Sequence, residues 1–187
     1  AWAGILEELG LAHWRADRFD SALVHLMASR DLSAARGDSA AVARVSNSVG
    51  SAHYQIGNFE LALQAYMRSL AIRVADGNAR GQAYLHANIA KAYQDWRQFD
   101  RALESADSGV TFADASGDGH ALGYALSTRA DILADLGRYA DARADVERSL
   151  AAYYSGRPPI SQRDSLSAWS INILLLGEID LASGRPD

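Results

Sequence analysis

The side chains that could perform chemistry are few, and their spacing does not assemble a catalytic or metal site. None of the five histidines forms a His-x-x-x-His or Glu-x-x-His pair, the spacings that place two metal ligands on one helical face. Cysteine is absent, which excludes disulfides and cysteine-ligated zinc. No serine lies in a Gly-x-Ser-x-Gly elbow, and no glycine-rich phosphate-binding loop occurs. We therefore predict a protein with no catalytic residue, no metal ligand and no cofactor.

One segment imitates the first half of a calcium-binding loop. From Asp114 to Gly119, oxygen-bearing side chains alternate and a glycine occupies the sixth position. The twelfth position, which requires a bidentate carboxylate, is Ala125. We interpret the segment as an ordinary turn between two helices.

Composition limits the classes of partner. The chain has 187 residues, of which 49% are hydrophobic and 22% charged, enough for one domain or a short repeat array with a buried core. Its net charge of −5 is unlike the basic footprint of a nucleic-acid-binding protein. No apolar run approaches the ~18 residues that would span a bilayer. Neither nucleic acid nor membrane is therefore an expected partner.

The elements that must carry these side chains repeat every 40 residues. Leu9-Gly10-Leu11-Ala12-His13-Trp14 aligns without gaps with the segments that begin at Val49, Ile89 and Arg129. Each segment is followed by an aromatic residue and then an alanine in register: Phe19 and Ala22, Phe59 and Ala62, Phe99 and Ala102, Tyr139 and Ala142. We predict one array over 1–187, with copies at about 1–37, 38–77, 78–117 and 118–157 and a partial copy at 161–187. The last copy is interrupted, and the chain is expected to be a fragment of a longer protein.

Local signals divide each copy into two helices. Apolar residues recur at three- and four-residue spacing, Gly-Asp or Gly-Asn pairs end one helix and cap the next, and strand alternation is absent. Asp38, Asn78 and Asp118 are the predicted caps, and the small residues at 10, 50, 90 and 130 are predicted sites of close helix approach. We expect an all-α protein, with helices near 2–16, 20–35, 39–56, 60–75, 79–96, 100–115, 119–136, 140–154 and 164–183.

The pattern Leu-Gly-x-x-(Tyr/His), Gly-x-(Phe/Tyr), Ala and Ala/Ser-Leu resembles the tetratricopeptide repeat (TPR). The resemblance implies a right-handed superhelical solenoid of antiparallel helix pairs, with four full repeats and a partial fifth. The 40-residue unit is similar to the long repeats of bacterial signalling proteins, bacterial peptide-pheromone receptors and animal spindle-orientation adaptors. Two positions depart from the pattern, because Trp96-Arg97 replaces the turn glycine and Arg129 replaces an apolar residue.

The resemblance also implies a concave groove lined by the first helix of each pair. Transferred position by position, the groove residues are Glu7, Leu11, Trp14, Arg15, Arg44, Asn47, Ser51, Tyr54, Gln55, Tyr84, Lys91, Gln94, Asp95, Tyr124, Ser127, Asp131 and Asp135. Of these, the ligand-binding set comprises Arg44, Asn47, Tyr54, Tyr84, Lys91, Gln94, Asp95, Tyr124, Asp131 and Asp135. The acidic end toward the fourth copy favours an extended ligand with a basic segment.

The resemblance implies a non-enzymatic scaffold that binds a protein or peptide segment, as the sensory or regulatory part of a cytoplasmic bacterial signalling protein. One alternative is a regulatory segment of an enzyme whose cyclase or kinase module lies elsewhere. Another is self-assembly, with a homodimer formed through the apolar helix at 164–183. Concentration-dependent mass and the identity of flanking modules distinguish the three hypotheses.

Overall fold

The computed structural model describes residues 2–154, 172, 174–182 and 184, and no strand occurs among them. The helices with full bounds are α1 (Trp2–Arg15), α2 (Phe19–Ala35), α3 (Ser39–Gln55), α4 (Phe59–Ala75), α5 (Ala79–Asp95), α6 (Phe99–Ser116), α7 (Gly119–Asp135) and α8 (Tyr139–Tyr154). Each of these bounds lies within one residue of its predicted position. Residues 172 and 174–182 are helical within the predicted helix 164–183, whose other residues lie outside the described part. The all-α prediction is confirmed.

The chain comprises two compact units. The first unit, Ala1–Gly81, contains α1 to α4 and the beginning of α5. In it α1 packs on α2, α2 on α3, and α3 on α4. The second unit, Gln82–Asp187, contains the rest of α5 and the helices that follow, with α6 packed on α7 and α7 on α8. The continuity of the array over 1–187 stays a prediction.

The predicted caps between successive helix pairs are present. The Oδ1 atoms of Asp38, Asn78 and Asp118 accept hydrogen bonds from backbone N–H groups three residues later, at 2.9, 2.8 and 2.9 Å. The preceding glycines have φ values of 70°, 63° and 65°, in the left-handed region that glycine adopts without steric cost. Local chemistry therefore sets the 40-residue punctuation, as predicted.

The turn inside each pair also needs a left-handed residue, but only two copies provide glycine for it. Gly57 and Gly137 have φ values of 76° and 73°, and the equivalent Asp17 and Arg97 adopt 55° and 61°. The sequence analysis noted that Arg97 replaces the turn glycine, but it did not note the same replacement at Asp17. The Arg97 guanidinium lies 4.6 Å from the centroid of the Phe99 ring, a cation–π contact that offsets part of the backbone cost.

Close approach inside the pairs is confirmed at the first two predicted positions. A Cβ added to Gly10 would lie 2.7 Å from Cγ of Leu26, and one added to Gly50 would lie 2.5 Å from the Tyr66 ring. Ala90 and Ala130, the equivalent residues of the later copies, are fully buried. Small residues at this position therefore bring the two helices of a pair together.

Candidate functional site

The predicted ligand-binding residues lie on the first helix of three pairs. Arg44, Asn47 and Tyr54 are on α3 in the first unit. The remaining seven residues belong to the second unit, where they lie on α5 (Tyr84, Lys91, Gln94, Asp95) and α7 (Tyr124, Asp131, Asp135). On α5 and α7 a tyrosine lies two to three turns before the polar residues, whereas on α3 Tyr54 follows them. Each unit therefore carries its own set of candidate residues.

In the second unit, Gln94 joins two of the predicted carboxylates. Its side chain is buried, and its Nε2 donates to Oδ2 of Asp131 at 3.2 Å and to Oδ2 of Asp135 at 2.8 Å. Asp131 and Asp135 lie one turn apart on α7, which places both on one helical face. The amide thus holds two carboxylates close together, an arrangement that suits a guanidinium or ammonium group.

The electrostatics of Asp131 favour such a cation. Desolvation raises the pKa of the Asp131 carboxyl, the Gln94 hydrogen bond and the Lys91 charge lower it, and repulsion from Asp135 and Glu178 raises it further. The net effect on the pKa is upward, so the charged form is disfavoured in the protein as it stands. A ligand cation would relieve this repulsion. We call Lys91, Gln94, Asp131 and Asp135 the acidic cluster.

Tyr84 and Tyr124 form an aromatic pair on the same two helices. Their ring centroids are 5.6 Å apart with a tilt of 38°, and both residues are partly buried. The Tyr124 hydroxyl donates to Oδ1 of Asn88 at 2.9 Å, which fixes the ring. Partly exposed tyrosines provide contact area at low entropic cost, and this pair can receive an apolar side chain.

Sequence analysis missed Tyr153, which belongs to the second helix of its pair. A Cβ added to Gly123 would lie 2.6 Å from the Tyr153 ring, and the His120 ring meets that ring edge-on at 5.1 Å. Burial raises the pKa of Tyr153 to about 12, with a further rise from Tyr84 and an opposing hydrogen bond with Ser127. The available signal was Gly123, a glycine inside α7 that allows a large ring to approach.

Ser127, which the resemblance placed in the groove, is part of a polar network inside the second unit. Its Oγ donates to Oδ1 of Asn172 at 2.9 Å and lies 2.8 Å from Oγ of Ser149. Asn172 Nδ2 in turn donates to Ser149 Oγ at 3.3 Å, and both of these partners are fully buried. Ser127 therefore contributes to packing between α7, α8 and the residue at 172.

In the first unit, the predicted residues Glu7 and Arg44 bind each other. Arg44 Nε donates to Glu7 Oε1 at 2.6 Å and Nη2 to Oε2 at 2.8 Å, a bidentate pair between α1 and α3. The hydrogen bond to Glu7 raises the pKa of Arg44. Glu7 is buried, while more than half of the Arg44 side chain remains exposed. Arg44 can thus contact a ligand at its outer edge, but its charge is already compensated.

The other first-unit residues divide between packing and surface. Leu11 and Trp14 are partly buried and pack against the core of Leu23, Leu26, Val45 and Val49, so they are core residues more than groove residues. Asn47, Ser51 and Tyr54 are partly exposed on α3, whereas Arg15 and Gln55 are exposed. The Tyr54 ring lies 6.2 Å from the Phe59 ring. This surface is weaker than the one on α5 and α7, because it lacks a clustered charge.

Arg129, the departure noted in the sequence, is the centre of an ion-pair cluster. Its Nε and Nη2 donate to Asp145 at 2.6 and 2.8 Å, and its Nη1 donates to Asp107 at 2.8 Å. The hydrogen bond to Asp145 raises the pKa of Arg129 well above its ordinary value, against the opposing effect of desolvation. Beside the cluster lies a cavity of about 270 Å³, also lined by Leu103, Leu133 and Arg138. The guanidinium links α6, α7 and α8, which explains why a cation replaces an apolar residue.

Within the described ranges, no group of three His, Cys, Asp or Glu side chains could hold a metal ion. The segment from Asp114 to Gly119 comprises the end of α6, a turn at Gly117 and Asp118, and the first residue of α7, which Asp118 caps. Over the same ranges, no helix is long and apolar enough to cross a membrane.

Comparison with known proteins identifies the repeat. Residues 3–74 match the family described as tetratricopeptide repeat. No curated protein matches the sequence. The match covers the first unit, where α1 to α4 form the first two predicted copies.

Solved structures extend the similarity over the remaining helices. RapI, solved in its apo form, has a TM-score of 0.81 at 15% identity over 98% of this chain. The chain spans 64% of the length of RapI. BtubC from P. vanneervenii has a TM-score of 0.65 at 14% identity, covering 98% of this chain and 84% of its own. A TPR-like protein from Chlorobium tepidum has a TM-score of 0.58 at 21% identity, covering 76% of this chain and 96% of its own. At these identities the similarity shows the fold, and the predicted helical-repeat solenoid class is confirmed.

Proposed function

Because residues 3–74 match the tetratricopeptide-repeat family and the chain has the fold of helical-repeat proteins, we propose that it is a non-enzymatic tetratricopeptide-repeat scaffold that binds a protein or peptide segment. The observation that carries the proposal is the pairing of the acidic cluster with the Tyr84–Tyr124 pair on α5 and α7. One feature suits a cationic side chain and the other an apolar side chain. Both belong to the second unit, so the proposed site does not depend on the first.

The expected ligand is an extended segment with a basic residue and an apolar residue a few positions apart. An arginine or lysine pairs with Asp131 and Asp135, and an apolar or aromatic side chain packs on the two tyrosines. Complementary charge sets orientation and association rate more than affinity, so the aromatic contact supplies much of the binding free energy. Asp95, Lys91 and Gln94 lie on the same helix and complete the polar lining.

The direct test is capture of partners from the cell of origin by the wild-type chain and by Tyr84→Ala/Tyr124→Ala. We expect the double variant to lose the captured segment, because two ring faces are removed. A matched control is Tyr139→Phe at the start of α8, which keeps its ring and alters neither α5 nor α7. Equal capture by all three proteins would remove α5 and α7 from the binding surface. Arg44, Asn47 and Tyr54 would then be tested as the separate surface of the first unit.

The finer role we propose is the sensory or regulatory part of a cytoplasmic bacterial signalling protein. The 40-residue repeat supports this role through its resemblance to long repeats in such proteins. A regulatory segment of an enzyme with its cyclase or kinase module elsewhere is the second candidate. Reading the gene outward separates them, because a continuous frame into a catalytic module supports the second candidate.

Self-assembly through the apolar C-terminal helix is a third candidate, and the described residues refine it. Leu175 and Ile179 pack into a core with Leu133 and Val146, whereas Leu174 and Leu181 are exposed seven residues apart on one face. A homodimer would therefore use Leu174 and Leu181. Sedimentation equilibrium of the wild type and of Leu174→Glu/Leu181→Glu tests this candidate, since a dimer through this face would dissociate in the variant.

A further inference from the structure

The first helix exposes an apolar face. Trp2, Ile5 and Leu9 are 74%, 55% and 42% exposed, and their three- and four-residue spacing places them on one side of α1. Ala12, the next residue on that side, is also exposed. A continuous apolar face of this kind is costly in water and indicates a contact surface.

Three of these four positions are buried in the following repeat. Val42, the equivalent of Trp2, is only partly buried. Ile5, Leu9 and Ala12 correspond to Val45, Val49 and Ala52, which are at most 2% exposed. These side chains pack against α2, the second helix of the preceding pair, in a cluster that includes Leu23 and Leu26.

In the fourth copy, within the second unit, the equivalents of Ile5 and Ala12 are Ala125 and Ile132, while Arg129 replaces Leu9 and pairs with Asp107 of α6. There Ala125 packs with Val110 and Ala113 of α6, and Ile132 packs with Ala102 and Ala106 of the same helix. In both copies the second helix of the preceding pair is therefore what covers this face.

We propose that the exposed face of α1 is a repeat-stacking interface, occupied by a further helix pair that precedes residue 1 in a longer polypeptide. The second helix of that pair presents a small residue and two leucines, as α2 does with Ala22, Leu23 and Leu26. The proposal concerns the extent of the array and does not depend on peptide binding.

A second copy of the chain is the less suitable occupant. A stable dimer buries ~800 Å² on each partner, which three side chains on one helix do not supply. A helix pair that belongs to the same polypeptide as α1 needs less contact area, because the peptide linkage removes most of the entropic cost of association.

The test compares the chain of residues 1–187 with the same chain extended upstream by the residues that the parent gene encodes. Hydrogen exchange is expected to slow at least ~tenfold in the α1 amides of the extended chain, because packing suppresses local opening. Ile5→Asp is expected to lower the Tm of the extended chain by ~4 °C or more and that of the shorter chain by ~1 °C or less. Val49→Asp lowers the Tm of both chains, and Leu61→Asp, at an exposed position on α4, lowers neither.

Three outcomes would overturn the proposal. The first is an upstream reading frame without a helix pair, and the second is an Ile5→Asp effect of equal size in both chains. The third is a concentration-dependent dimer of residues 1–187 that Ile5→Asp dissociates, which would assign the face to a second copy. The proposal is supported if hydrogen exchange in α1 slows in the extended chain and Ile5→Asp lowers the Tm of that chain only.

Discussion

The Ser69 hydroxyl donates a 2.7 Å hydrogen bond to the backbone carbonyl of Ala43, 26 residues earlier. The same bond recurs from Ser29 to Ala3 at 2.7 Å and from Ser149 to Gly123 at 2.8 Å. In each case a buried hydroxyl on the second helix of a pair bonds to a carbonyl of the first helix. The third copy carries Gly109 at this position and forms no such bond.

Gly109→Ser is therefore expected to stabilise the protein by ~1 kcal/mol, through a hydrogen bond to the Ala83 carbonyl and the loss of a helical glycine. A Cβ there would meet its nearest neighbours, Ala83 O and Ala87 N, at 3.4 Å, an ordinary contact distance. The measurement is thermal unfolding, with a rise in Tm of ~2–4 °C. Gly109→Ala is the control, because it removes the glycine without adding a hydroxyl. A serine variant no more stable than the alanine variant would contradict the predicted bond.

Arg129→Ala is expected to cost ~3–5 kcal/mol, because the Asp145 carboxylate, only 4% exposed, loses two short hydrogen bonds and keeps only the Arg148 guanidinium at 4.0 Å as a cation. Urea unfolding measures the loss of free energy. The double variant Arg129→Leu/Asp145→Leu should recover most of it, since no buried charge remains. Arg138→Ala is the control, because it breaks an exposed pair with Asp141 that contributes ~0–1 kcal/mol. Similar losses for Arg129→Ala and Arg138→Ala would show that burial of Asp145 is unimportant.

Asp131→Asn is expected to have opposite effects on folding and on binding. The folded protein raises the pKa of Asp131, so the ionised carboxylate destabilises the folded state at neutral pH and its removal is stabilising. The same change removes one of two charges available to a ligand cation and should weaken binding of a basic peptide ~tenfold. Thermal unfolding and fluorescence anisotropy with an arginine-containing peptide measure the two effects. Asp141→Asn, on an exposed part of α8, is the control for both. Loss of stability together with unchanged binding would contradict both arguments.

Two partly buried histidines, His53 and His86, are expected to make folding stability depend on pH. Burial lowers the pKa of His53 and of His86, so the unfolded chain binds protons more readily than the folded protein. Stability is therefore greatest above the unfolded pKa of ~6.5 and falls as the pH decreases through it. Urea unfolding between pH 5.5 and 8 should show a flatter profile for His53→Gln/His86→Gln than for the wild type. His120→Gln, with its ring at the surface, is the control. An unchanged slope in the double variant would assign the pH dependence to other groups.

Helix bounds and caps could be predicted because they depend on residues close in sequence. Asp38 caps an N–H three residues away, and a left-handed glycine ends a helix through its own backbone. The turn at Asp17 was also predicted, but its left-handed residue was not identified, because aspartate replaces the glycine that marks this conformation in the sequence. The repeat period then follows from local signals that recur every 40 residues.

The candidate site could be predicted only in part. The resemblance assigned the candidate residues to the first helix of each pair, but it could not show which side chains are already bound within the protein. Arg44 and Glu7 are separated by 37 positions in the sequence, as are Gln94 and Asp131. Ser127 and Asn172 are separated by 45 positions. These separations are close to one repeat, so the partners meet only when one repeat stacks on the next.

The chain alone therefore specifies all-α helix pairs, their period and their caps, because short-range hydrogen bonds and apolar periodicity act within one or two turns. Packing of successive pairs decides the rest. It compensates the charge of Arg44, brings Asp131 and Asp135 to one buried amide, and places Arg129 between Asp107 and Asp145. It also leaves Ile5 exposed where Val45 is covered. Burial and long-range ion pairs depend on which helix lies alongside, and that neighbour exists only in the folded protein.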